Sequence, residues 1–149
     1  CTRERKQILS DIIRIPSTSA QNTSESVVGE GLAPPEYAVQ LKPCGKIVQE
    51  QLQSIQTRFP SVSVEDYVIM PDHIHMILTI DTDENGRTQF APTISRVIKQ
   101  FKGSITKQIG RPIWQKSFYD HGIRNQQDYD EIWQYIENNP LKYALNRTP

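Results

Sequence analysis

The strongest constraint on the fold is a pair of β-branched runs with almost nothing between them. Residues 62–70 read VSVEDYVIM and residues 73–80 read HIHMILTI, with only Pro71 and Asp72 as the joint. Such composition favours strands, and a Pro-Asp link favours a tight turn, so 62–80 is expected to be an antiparallel hairpin. Side chains alternate along a strand. Ile74, Met76, Leu78 and Ile80 should therefore face the core, while His73 and His75 share the opposite face. Asp72 reads as a turn-shaping residue rather than a metal ligand.

Helical patterns flank the hairpin. Over 46–59, Val48, Leu52, Ile55 and Phe59 fall on one helical face, and Pro60 stops the element. From Thr93, a plausible N-cap, the apolar residues Ile94, Val97, Ile98, Phe101 and Ile105 repeat at helical spacing until Gly110 and Pro112. FYDHGIR (118–124) reads as a short strand. Asn125 caps a last helix, with Asp128 at the capping-box position. Tyr129, Ile132, Trp133 and Ile136 form its stripe and Pro140 is expected to close it. Residues 16–36, rich in Ser, Thr, Gly and Pro, and residues 81–89 read as surface loops. If a strand ends at Cys1, the order becomes β-α-β-β-α-β. The expected fold is thus α+β: a ferredoxin-like antiparallel sheet with helices on one face and a further C-terminal helix, in one domain over 1–149.

Charge matters by its distribution. Lys plus Arg and Asp plus Glu are each 17, so the formal net charge is zero. Yet between Thr93 and Arg124 lie Arg96, Lys99, Lys102, Lys107, Arg111, Lys116 and Arg124 against the single acid Asp120. Such a run is usually a solvated face; it is also what a phosphate backbone would use. Lys99, Lys102 and Arg124 are the phosphate candidates. Two distant cysteines exclude a disulfide scaffold or a four-cysteine zinc site and suit a reducing cytoplasm. No apolar run approaches the ~20 residues of a membrane span, and no secretory leader is legible. Because the chain begins at Cys1 without methionine, residues are expected to be missing before it.

Two imidazoles on adjacent same-face positions can hold one divalent ion, although H-x-H alone fits two surface histidines equally simply. Tyr135 sits about 100° from the centre of the last helix's stripe, with Asn139 one turn later on the same side. Read from periodicity alone, it is first an amphipathic residue at the rim of the core. The chemistry that joins these pieces is phosphoryl transfer to tyrosine: a phenol attacks a DNA phosphate, and an ion on the histidines acts as Lewis acid. Tyr67, Tyr119 and Tyr129 rank below Tyr135, the first two in strand patterns and the third on the stripe. Trp114 and Phe118 are expected in the core rather than stacked on bases. His121 contacts DNA or is a hydrogen-bonded structural histidine.

The blocks CTRERK, YVIMPDHIHMI, IKQFKG, WQKSFYDHGIRN and DYDEIWQYIENNP, in this order, resemble the single-tyrosine HUH transposases, most closely their REP-associated branch. The resemblance implies that His73 and His75 are the metal pair, that Tyr135 is the nucleophile and that Asn139 is the helical ligand. It implies Mg²⁺ or Mn²⁺, a hairpin-forming single-stranded DNA substrate and a 5′-phosphotyrosine intermediate. It also implies a bacterial cytoplasmic protein with no membrane partner, as monomer or homodimer. Three other readings are weaker. A replication-type nickase usually permutes the order of histidines and tyrosine. A domesticated hairpin-binding descendant would not need the intact set. An RNA-binding domain of the same fold class would need stacked aromatics on its central strands, and HIHMILTI has none.

Overall fold

The computed structural model describes residues 1–14, 37–81 and 92–146. The expected 16–36 loop and most of the 81–89 loop lie outside them. Within them run β1 (Ser10–Arg14), β2 (Tyr37–Leu41), α1 (Pro43–Gln53), α2 (Ile55–Arg58), β3 (Val62–Ile69), β4 (Ile74–Ile80), α3 (Ile94–Ile109) and α4 (Gln126–Leu145).

The α+β class holds, and among the described residues the strands form two small sheets rather than one. The strands pair as two antiparallel hairpins, β1 with β2 and β3 with β4. A hairpin that the sequence did not announce forms from SDIIR and YAVQL, which pair from Ser10↔Leu41 to Arg14↔Tyr37. The two sheets are tied at one corner, where Ser10 Oγ donates to the Ile69 carbonyl at 2.8 Å and Leu9 N donates to the Pro71 carbonyl at 3.1 Å.

The expected strand at 118–124 is also absent. A strand needs an edge to pair with, and what the N-terminal segment offers is spent one step earlier in the chain. Thr2 bridges Trp114, Arg3 N donates to the Ile113 carbonyl at 2.6 Å, and Gln115 N donates to the Cys1 carbonyl at 3.0 Å. Residues 118–124 continue without a partner strand and are exposed.

The 62–80 hairpin forms as the alternation demands, with one irregularity. The register passes from Val64↔Leu78 to Asp66↔Ile77, leaving Glu65 as a bulge. The bulge shifts the phase of β3, so Val62 and Val64 before it and Tyr67 and Ile69 after it all join the core, with Ile74, Met76, Leu78 and Ile80 of β4. Against this face pack α1 and α3 through Val48, Leu52, Val97, Phe101 and Ile105, all buried. Pro43 starts α1 at a position where a missing N–H costs nothing; the helix begins three residues earlier than periodicity indicated and breaks at Ser54. Thr93 caps α3, its side chain accepting from Arg96 N, and Gly110 ends it at φ 78°.

The other face of the sheets is covered by α4, which contacts all four strands; Ile77 and Ile136 are buried at 4% and 3% exposure. Asn125 caps this helix as expected, its side chain accepting from Asp128 N at 2.8 Å. Two expectations fail here. Pro140 does not close the helix, which runs on to Leu145. Trp133, assigned to the apolar stripe, is 42% exposed, because the buried line runs through Ile136 and Asn139 instead.

Candidate active site

The site begins with the tight turn between β3 and β4. Met70 N donates to the His73 carbonyl at 2.9 Å, and Pro71 and Asp72 are buried inside the turn. His73 lies one residue before β4 and His75 lies within it, with Ile74 between them turned to the core. Alternation thus puts both imidazoles on the α4 side, their ring centroids 4.8 Å apart and nearly perpendicular.

α4 meets this pair with side chains spaced four apart: Tyr135, Asn139 and Tyr143. The Tyr135 ring stands edge-on to His75 at 5.3 Å, and the Tyr143 ring lies 6.3 Å from His73. Among the described residues these are the tyrosines that meet the histidines. Asn139, between them on the helix, is 7% exposed, whereas Tyr135 is 48% exposed, so its phenol is open to a large substrate. The Lys142 ammonium sits 5.3 Å above the Tyr135 ring.

The electrostatics favour neutral imidazole at His75. Burial first, and then the neighbouring His73, lower its pKa to about 4. Its Nε2 and the amide nitrogen of Asn139 are buried with no hydrogen-bond partner among the described residues. A buried polar atom left unpaired is costly, and these two, on facing elements, fit the donor set of a ligand site. Turning the amide over by 180° presents its oxygen at the same position. Two imidazoles and an amide oxygen suit a divalent ion that also takes phosphate oxygens. His73 is held differently: its Nδ1 lies 2.6 Å from Oδ1 of Asp72, whose Oδ2 is 3.3 Å from Nε of Arg5.

The candidate DNA residues make contacts of their own. Lys102 donates to the carbonyls of Gln115 at 3.0 Å and Ser117 at 2.9 Å and lies 5.9 Å over the Phe118 ring; burial lowers its pKa. It fastens the 115–118 segment to α3. Lys99 is exposed and, with Lys102, Lys116 and Phe118, lines a shallow cavity of about 310 Å³. Arg124 is exposed, its backbone N–H donating to Asp128 at 3.2 Å. His121 meets the same carboxylate at 3.2 Å, at the start of α4. Trp114 packs toward Phe101 as expected, their centroids 6.3 Å apart, but Phe118 is exposed rather than in the core. Tyr67 packs on the core and accepts from Gln49 at 3.3 Å, Tyr119 is 91% exposed, and Tyr129 is half-buried.

Sequence reasoning missed Lys142 and Tyr143, because ending the helix at Pro140 removed them from view. The signal that finds Tyr143 is the spacing of Tyr135, Asn139 and Tyr143, two successive steps of four, and Lys142 lies two helical turns after Tyr135. It also gave Asp72 a role in the turn alone, where the carboxylate in addition holds His73.

Fold and site together define a class: an α+β domain that sets two histidines of a hairpin against a tyrosine-bearing helix. The chain belongs to the family described as Transposase IS200 like, whose model matches residues 36–139. A Haemophilus influenzae protein described as uncharacterized is 30% identical over 128 residues, 73% of this chain and 71% of that protein. The REP-associated tyrosine transposase of Escherichia coli K12 is 35% identical over 82 residues, 54% of this chain and 46% of the relative. A solved structure of a REP-associated tyrosine transposase bound to a REP hairpin matches with a TM-score of 0.55 at 27% identity, covering 66% of this chain and 55% of that one. The chain thus spans about half the length of these two REP-associated relatives.

Proposed function

We propose that this chain is a metal-dependent enzyme that cuts and rejoins single-stranded, hairpin-forming DNA through a 5′-phosphotyrosine at Tyr135. The observation that carries the reading is the half-exposed Tyr135 phenol set edge-on to His75, itself 4.8 Å from His73. Family membership and the relative bound to a REP hairpin support the substrate class.

His73, His75 and the Asn139 amide oxygen would hold Mg²⁺ or Mn²⁺, which when bound supplies Lewis-acid polarisation of the scissile phosphate. Tyr135 gives up its phenolic proton and forms an Oη–P bond as the P–O3′ bond breaks; the departing 3′ oxygen gains a proton. The phosphodiester is exchanged rather than hydrolysed, so a 3′ hydroxyl can reverse the step and reseal a strand. Lys142, above the Tyr135 ring, adds positive charge where the phosphate would arrive. Lys99 and Arg124 are the phosphate contacts of the flanking DNA, and Lys102 and His121 shape the surface from which they project. Among the described residues no helix is long and apolar enough to cross a membrane; the cytoplasm, where such DNA is found, is the proposed compartment.

The test is adduct formation on labelled single-stranded hairpin DNA with Mg²⁺ or Mn²⁺. Tyr135→Phe should abolish the covalent adduct and retain hairpin binding, while Tyr129→Phe and Tyr143→Phe still form it. An adduct in the Tyr135 variant would refute the nucleophile assignment.

A further inference from the structure

We infer that Asp72 and Arg5 are positioning residues for His73, which makes the N-terminal segment a working part of the metal pair. The inference rests on the reading of His73 and His75 as metal ligands.

The carboxylate of Asp72 is 6% exposed, and each of its oxygens has a partner of its own. Oδ1 is 2.6 Å from Nδ1 of His73, and Oδ2 is 3.3 Å from Nε of Arg5. An ionised carboxylate only accepts hydrogen bonds. Nδ1 must therefore carry the proton, which leaves Nε2 of a neutral His73 as the nitrogen with a free lone pair. Carboxylate-to-histidine hydrogen bonds of this kind fix the ring's tautomer and orientation and raise its basicity as a ligand. Arg5 holds the second oxygen and so prevents the carboxylate from turning.

The backbone points the same way. Thr2 N donates to the Asp72 carbonyl at 2.7 Å, and Leu9 N donates to that of Pro71 at 3.1 Å, so residues 2–9 lie on the turn that carries the histidines. Glu4 and Arg5 both adopt left-handed backbone, φ 56° and 53°. Residues with a Cβ rarely do so, and such strain persists where surrounding contacts over-determine it. Here those contacts bring the Arg5 guanidinium back onto Asp72. A carboxylate that only shaped the turn would need neither a cation nor an imidazole.

The test is Mn²⁺ affinity of the full chain, measured by titration calorimetry or electron paramagnetic resonance without DNA, together with the ¹⁵N tautomer signature of His73 in the metal-free protein. Asp72→Ala should weaken Mn²⁺ binding by about 10- to 100-fold, the range for lost outer-sphere partners, and shift His73 away from the Nδ1–H form. Asp72→Asn, whose oxygen still accepts, should lose less. Arg5→Gln leaves the turn intact and guards against misfolding of the Asp72 variants; it should also weaken binding, and Arg5→Lys should restore much of the loss. Affinity lost in His73→Ala but kept in both Asp72→Ala and Arg5→Gln, with the tautomer unchanged, would overturn the inference alone. Affinity unchanged in His73→Ala would overturn the metal reading, and the inference with it.

Discussion

Replacing Gly45 with alanine puts two physical effects in direct opposition. Gly45 lies inside α1, where alanine is the better helix former by about 0.8–1.0 kcal/mol, so a purely helical argument predicts stabilisation. The packing predicts the reverse. A Cβ on residue 45 would sit 2.0 Å from the Leu9 carbonyl oxygen and 3.3 Å from Cδ2 of Leu41. To reach ordinary contact the oxygen must retreat by more than an ångström, since it is backbone and cannot rotate away. That oxygen accepts from Lys42 N at 2.9 Å, and Leu9 itself is fully buried. Overpacking a filled site costs about 1–3 kcal/mol, and breaking a buried hydrogen bond adds about 1–3 kcal/mol. After the helical gain is subtracted, Gly45→Ala should lose about 1–5 kcal/mol. In urea, at an m of about 2 kcal/mol/M, the middle of the range for small proteins, the midpoint should fall by roughly 0.5–2.5 M. Because Leu9 N holds the Pro71 carbonyl beside Asp72 and His73, Mn²⁺ affinity should fall as well. A midpoint equal to or above that of the parent protein would refute the claim that α1 is packed on the Leu9 backbone.

Two further outcomes follow from charge and burial. The folded-state pKa of His75, about 4, lies below its ordinary value of 6.5, so the unfolded chain takes up a proton before the folded one does. With metal chelated, this contribution to stability should be complete above about pH 6.5, decline as pH falls toward 4 and then level off. His75→Gln should flatten the curve in that window, and an unchanged slope in urea melts would refute it. Charge reversal at Lys99 or Arg124 should weaken hairpin binding for many sequences and reduce its salt dependence, as lost phosphate contacts do; filter binding at several salt concentrations that finds neither effect would move the DNA path elsewhere.

The parts of this molecule that were legible in the sequence are those set by local periodicity. The 62–80 hairpin, the placement of both histidines opposite Ile74, Met76 and Leu78, the caps at Thr93 and Asn125, and the exposure of Tyr135 all follow from side-chain alternation or helical spacing. What escaped depends on distant partners. FYDHGIR has strand-like composition, but a strand requires an edge, and the N-terminal segment meets Ile113, Trp114 and Gln115 instead. DIIR and YAVQL are short, and only their mutual pairing across 22 intervening residues identifies them. Pro140 removes one N–H from a helix, but packing across all four strands holds the segment helical past that defect, and so brings Lys142 and Tyr143 to the site. Lys102 looked like any solvated base; its partners are backbone carbonyls, which no side-chain pattern reveals.

The bulge at Glu65 means that β3 carries one residue more than its ladder uses. With that residue set aside, the remaining Val, Ser, Val, Asp, Tyr, Val, Ile run alternates inward and outward without interruption and matches β4 position for position. Glu65 is thus the spare link of the strand. Its loss leaves every neighbour facing the side it already faces, whereas loss of a residue away from the bulge, such as Ser63 or Val68, turns inside out the residues between the gap and the bulge. Changes in the length of this strand are constrained by parity, and only at Glu65 is an odd number free.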